Sequence, residues 1–232
     1  MFNSINIAID GQAATGKTSI GSELAKMLNY KFIDTGLFYR YFAFKFINHT
    51  VDNLSEEIIK SEITIEDLEQ INLNISNQYL QIGARASEIS KNNDVRSAIN
   101  DLIKRLTIGK GFVVVGRDVT TKILPDAEVK IVLDADVETR LFHRMKQMNL
   151  ENECDTILTD LLQRDFNSHD LIQQAKQIST IIDTQNLSSE QVIHKIFKIV
   201  IFYSLQHSKF IQTILLFSLI MICFLFEKFV FI

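Results

Sequence analysis

An apolar run interrupted only by Asn6, Ile5 to Ile9, leads through Asp10 into Gly11-Gln12-Ala13-Ala14-Thr15-Gly16-Lys17-Thr18, and an amphipathic stretch, Lys17–Leu28, follows. That order of strand, loop and helix fills every position of the pattern G-x-x-x-x-G-K-[ST], whose backbone N–H groups turn inward around a polyphosphate. The glycines are needed because such a loop uses backbone angles and close approaches that a side chain blocks. In the pattern, Lys17 reaches the β and γ phosphates and the Thr18 hydroxyl goes to Mg²⁺. A chance match arises about once in a hundred chains of this size, and glycine is scarce here, with eight residues in all. The plainer alternative is a Gly turn with Thr15 or Thr18 as helix N-cap; the flanking strand and helix favour the phosphate loop.

At 232 residues the chain can bury one full core with at most a small inserted or lid-like subdomain, and its 47% hydrophobic content suits a soluble α/β protein. A net charge of −4 and a pI near 5.8 argue against a nucleic-acid partner held by a broad basic face. Positive charge for phosphates must therefore be gathered locally, which makes the arginines worth following. Cys154 and Cys223 lie far apart and match no metal or disulfide spacing, as expected in a reducing cytoplasm. A signal peptide is not expected, since the chain opens on a strand.

Strand-like runs occur at Ile5–Ile9, Tyr30–Ile33, Phe112–Val115, Val129–Leu133 and Ser179–Ile182. Each is nearly continuous in apolar residues, the pattern of strands covered on both faces. Between them lie helical patterns at Lys17–Leu28, Ile99–Leu106 (capped by Asp94 or a neighbour), Val137–Met148 and Ser188–Tyr203, the last with capping-box spacing from Ser188 to Gln191. The alternation predicts an α/β fold, a doubly wound parallel sheet with helices on both faces. Val51–Ile82, acidic and irregular in its apolar spacing, reads as an insertion. The polar stretch from Met148 to Asp170 suits either a mobile lid or a plain surface helix.

Ligands of such sheets bind beyond the carboxyl ends of the strands. After the second strand comes Asp34-Thr35-Gly36, leading to Tyr39-Arg40; after the third comes Gly116-Arg117-Asp118. Alone, Arg117-Asp118 reads equally well as a surface ion pair. Beside a phosphate loop, a ligand site is the stronger reading.

Taken in order, IAIDGQAATGKTSI, FIDTGLFYR, GRDVTTKILPDAEVKIVLDA, QRD and IIDT resemble the bacterial cytidylate kinases over roughly residues 4–198. The resemblance implies transfer of the γ-phosphoryl group of ATP to CMP or dCMP with Mg²⁺, by a cytoplasmic monomer with no nucleic-acid partner. It implies a kinase domain over 1–203, with a nucleoside monophosphate binding insertion at about 48–95 and a lid at about 148–172. ATP would lie on Gly11, Gln12, Ala13, Ala14, Thr15, Gly16, Lys17, Thr18 and Ser19, with Thr18 toward the metal. Thr35 and Arg40 would hold the CMP phosphate. Ser87, Arg96, Arg117 and Asp118 match further CMP-binding positions, Asp118 accepting from the cytosine amino group. Lys17, Arg144 and Arg164 would be catalytic. Arg140 also matches a family arginine near the lid, the stronger reading, with an i,i+4 pair to Asp136 as the plainer alternative.

The chain departs from the family where the lid should continue. Ser168 stands in place of an acid and Leu171 in place of an arginine; Ile172-Gln173-Gln174-Ala175-Lys176 replaces a proline-rich basic stretch, and Gln78 replaces an arginine of the insertion. Each lost charge-assisted bond corresponds to ~1.5–3 kcal/mol, so a related kinase with relaxed base choice is one alternative. A tail-anchored regulatory ATPase is another, because the tail over 204–232 carries the uncharged, mostly apolar stretch Phe210–Phe226. That length is at the lower limit for a membrane span, and membrane contact through it is the lesser expectation. A GTPase would need N-K-x-D after a strand, and the sequence has none.

Overall fold

Strand β1 (Asn6–Gly11) is buried along its whole length and pairs in parallel with β3 (Phe112–Gly116) on one side and β4 (Val129–Asp134) on the other. With β2 (Lys31–Asp34) beside β3 and β5 (Thr180–Asp183) beside β4, the sheet order is β2-β3-β1-β4-β5, all parallel. These strands coincide with the apolar runs of the sequence. From β1 the chain crosses to the edge strand β2, returns to β3 and then passes over β1 to β4 and β5, so the connections on the two sides of β1 run in opposite directions and the sheet's switch point lies at its end, beneath the phosphate loop. The protein is seen here in a computed structural model that describes residues 4–47, 53–68, 79–148 and 154–207.

Period-two alternation divides β1, β2 and β3 between two cores. On one face Ala8 and Val114 meet Phe38 and Phe42 of α2 (Thr35–Lys45), Leu54 and Ile58 of α3 (Leu54–Lys60), Ile82 of α4 (Tyr79–Ile89) and Ile99 of α5 (Asn93–Leu106). On the other, Ile7, Ile9, Val113 and Ile131 meet Leu24 of α1 (Lys17–Leu28) and Ile196 and Val200 of α8 (Ser189–Gln206). Helices lie on both faces and bury β1 and β3 throughout, whereas the edge strands β2 and β5 keep exposed residues, Lys31 and Ile181 among them, so the expectation of full cover on both faces holds only at the centre of the sheet. The helices α3 and α4, from the stretch read as an insertion, share the first of these cores.

Helix ends follow local chemistry. The expected capping box is present: the Ser188 hydroxyl accepts from Gln191 N–H while the Gln191 side chain accepts from Ser188 N–H. Helix α5 starts at Asn93, and its cap is Asn92, a neighbour of the expected Asp94: Asn92 Oδ1 accepts from the N–H groups of Asp94 and Val95. Gly21, inside α1, lies so close to the sheet that a Cβ there would stand 2.5 Å from Val115 Cγ1.

The described part of the polar stretch after α6 (Val137–Met148) is helical. Helix α7 runs unbroken from Cys154 to Ile178 and buries Ile157, Leu161, Ser168, Ile172 and Ala175 along one side. Among the described residues no helix is long and apolar enough to cross a membrane. Gln78, Cys223 and the stretch Phe210–Phe226 lie outside the described residues.

Candidate active site

The phosphate loop is shaped by two close constraints. A Cβ on Gly11 would stand 2.6 Å from the Leu133 carbonyl oxygen of β4, so only glycine fits between the strands. At the far end Gly16 takes φ 85°, and Ala14 shares the left-handed region at φ 61°. Gly16 is the N-cap of α1 and offers no side chain to its first N–H groups, which suits them to an anion. Lys17 folds back over the loop, its Nζ donating to the Gln12 carbonyl at 2.5 Å. Burial pushes its ammonium down to about 7, and the nearby Arg117 adds repulsion, against the opposing pull of Asp34, Asp10 and Asp165.

Thr18 Oγ1 donates to Asp34 Oδ2 at 3.1 Å, while Asp34 Oδ1 accepts from Gly36 N–H at 2.9 Å and so caps α2. A hydroxyl and a carboxylate at the mouth of the loop form a hard oxygen set. That set fits Mg²⁺, which is commonly held by one or two protein oxygens together with phosphate oxygens. Asp34 had no assigned role in the sequence reading; the signal available was a carboxylate ending an apolar run opposite the loop.

Around the ends of β2 and β3 the expected acceptor residues gather. Arg40 Nη2 lies 4.0 Å from Asp34 Oδ2, and a Cβ on Gly36 would be 3.3 Å from Arg40 Nη1. The buried Arg40 Nε has no hydrogen-bond partner among the described residues. Thr35 is buried, wedged against the end of β3: a Cβ on Gly116 would be 2.6 Å from its Oγ1. Arg96 forms an ion pair with the buried Asp118 and also donates to the Ser90 carbonyl at 3.3 Å. Tyr39 adjoins this pair; burial pushes its phenol up to about 12, with Arg96 pulling down and Asp118 pushing up. Ser87 is exposed on α4, three residues before Ser90.

Helix α7 closes the cluster. Arg117 donates to the Arg164 carbonyl at 3.4 Å, and burial, then the charge of Arg164, lowers its affinity for its proton. The Arg164 guanidinium itself is turned to Asp160 at 3.0 Å on the exposed side of the helix. Ser168, buried, donates to the Arg164 carbonyl at 2.8 Å. Arg144 stands apart, bonded to Gln147 on α6 at 2.8 Å.

Arg140 is not a surface partner of Asp136. It is 3% exposed and donates to the carbonyls of Ala135 and Ala13 at 3.1 and 3.2 Å, and to Asp165 Oδ2 at 2.6 Å. Asp136 instead caps α6, accepting from Thr139 N–H at 2.7 Å. The sequence reading also passed over Asp10, whose carboxylate lies fully buried beneath the Asp118 turn. An acid inside an otherwise apolar strand was the visible sign.

The matches to known proteins agree with this arrangement. The family model described as cytidylate kinase matches residues 7–201. A cytidylate kinase of Mycoplasmopsis pulmonis (strain UAB CTIP) is 39% identical over 216 residues, covering 86% of this chain and 97% of that protein. One from Mycoplasmopsis synoviae (strain 53) is 32% identical over 214 residues, covering 84% and 98%. Among solved structures, shikimate kinase from Bacteroides thetaiotaomicron superposes with a TM-score of 0.50 at 14% identity, over 84% of this chain and 98% of that one, a likeness of fold alone. With the phosphate loop, the Asp118 turn and the arginines all falling inside the matched span, the chain belongs to the cytidylate kinase family, a family of nucleoside monophosphate kinases.

Proposed function

We propose that the protein transfers the γ-phosphoryl group of ATP to CMP and dCMP. One observation supports this above the others: the phosphate loop that carries Lys17 and the arginine-bearing strand ends meet at Asp34, which accepts from Thr18 of the loop at 3.1 Å and lies 4.0 Å from Arg40 Nη2. A donor site and an acceptor site thus meet where a phosphoryl group would pass between two nucleotides. The attacking atom is an oxygen of the monophosphate, already anionic at neutral pH. No general base is therefore required, and catalysis consists of alignment and charge neutralisation.

In this reading the loop from Gly11 to Ser19 and Lys17 hold the ATP phosphates, while Thr18 and Asp34 hold Mg²⁺. The ion, when bound, neutralises charge shared by the β and γ oxygens. Thr35 and Arg40 take the CMP phosphate, the planar guanidinium suiting two oxygens at once. Arg117 and Arg164 offset charge on the transferring group, with Arg144 joining as the helices draw together. Ser87, Arg96 and Asp118 receive the base. The Asp118 carboxylate accepts from the cytosine amino group, whereas uracil would oppose it with a carbonyl, acceptor against acceptor.

A coupled assay offering CMP, dCMP, UMP and AMP with Mg²⁺ and ATP tests the proposal. Turnover of CMP and dCMP well above UMP is expected, with the preference lost in Asp118→Asn. Equal turnover of all four would overturn the base assignment, and ATP hydrolysis without transfer to any of them would overturn the kinase reading.

A further inference from the structure

The turn that carries Asp118 is capped from the wrong strand. Residues Val119–Ile123 form a short π-helical turn with Asp118 at its N-cap, a position where an aspartate side chain ordinarily accepts from the first free N–H groups. Asp118 makes no such bond, and its carboxylate is turned instead to Arg96. The cap comes from Asp10, more than a hundred residues earlier. Asp10 Oδ1 accepts from Val119 N–H at 3.0 Å, and Oδ2 accepts from Thr120 N–H at 2.8 Å and Thr120 Oγ1 at 2.7 Å.

Asp10 and Thr120 are wholly buried. A carboxylate there carries a heavy desolvation penalty, and burial does push its pKa upward, against the three hydrogen bonds. An apolar residue would fill this end of β1 without that penalty, but it would leave the N–H groups of Val119 and Thr120 to be satisfied by the nearest acceptor. That acceptor is Asp118 itself. The register places Asp10 opposite Gly116 and directly before Gly11, so one side chain ties the root of the phosphate loop to the acceptor turn.

We infer that Asp10 is a positioning residue for nucleotide selection: by capping the turn in place of Asp118, it leaves the Asp118 carboxylate free to face Arg96 and the acceptor base. This rests on the reading of Asp118 as the group that tells cytosine from uracil.

The test is the ratio of kcat/KM for CMP to that for UMP, which does not depend on how much of a preparation is folded. Asp10→Asn keeps the shape, but its NH₂ must face one of the N–H groups it should accept from, so Asp118 is drawn into the cap. The ratio is expected to fall about tenfold. Thr120→Val keeps the charge and removes only the hydroxyl, and is expected to lower the ratio about threefold. This second variant serves should Asp10→Asn fail to fold. With Asp118→Asn as reference, a wild-type enzyme without CMP preference overturns the base assignment and this inference with it. If wild type prefers CMP and Asp118→Asn does not, an unchanged ratio in every foldable Asp10 and Thr120 variant overturns the positioning role alone.

Discussion

Arg140 Nη1 lies 2.6 Å from Asp165 Oδ2, with both side chains almost entirely out of solvent, and the same nitrogen donates to the Ala13 carbonyl. One guanidinium therefore joins α6, α7 and the phosphate loop.

Breaking that pair should be expensive. Arg140→Ala leaves the Asp165 carboxylate buried and uncompensated, and a loss of about 3–5 kcal/mol is expected in equilibrium denaturation. The double variant Arg140→Ala/Asp165→Ala should lose less than the sum of the two single variants. A single-variant loss under about 1 kcal/mol would mean the pair is not buried in solution.

The depressed Lys17 pKa makes stability and binding pH-dependent. With a folded value of about 7 against an ordinary 10.5, the unfolded chain holds more protons than the folded one between these limits. This group therefore makes the nucleotide-free protein more stable as pH rises through that window. A polyphosphate on the loop restores the charge, so ATP binding should take up about half a proton at pH 7, and more by pH 8.5. Calorimetry in buffers of different ionisation enthalpy measures this, and the rising uptake should vanish in Lys17→Arg.

Two glycines should fail in different ways. Gly21→Ala gains helix propensity but drives a methyl into Val115, and a net loss of about 1–3 kcal/mol with nucleotide affinity retained is expected. Gly11→Ala collides with the Leu133 carbonyl and Thr15 Oγ1 at the base of the loop. Binding of a fluorescent ATP analogue should fall at least tenfold while the fold persists. Equal effects of the two substitutions on binding would contradict the geometry.

Much of the architecture was legible because burial on both faces writes itself as nearly continuous apolar runs: Phe112–Val115, and Ile5–Ile9 with Asn6 as its one polar residue, could be little else. The phosphate loop was legible because its glycines answer local demands at Gly11 and Gly16. The contacts of Arg140 were not, since an arginine four residues from an aspartate on an amphipathic helix can also serve as a surface pair. Only the approach of α7, far along the chain, turns it inward. Asp10 was hidden for the same reason, its partners lying more than a hundred residues away. Thr35 is seated deeper than a strand-end threonine suggests, because Gly116 lets β2 and β3 close over it. The cap of α5 was legible to within two residues, Asn92 in place of Asp94, because Asn and Asp serve equally well there.

Helix α7 is a single rod of 25 residues, about 37 Å long. Near one end Ile157 and Leu161 rest on Ala13 of the loop, and near the other Lys176 is pinned to Asp134 at 2.6 Å. A rod tethered at two points cannot flap as a hinged cover does; it can only tilt or roll about its moorings. Arg164, between them, would then travel through a short arc coupled to the shape of the loop itself, so that occupancy of the loop and the bearing of that arginine are one mechanical variable.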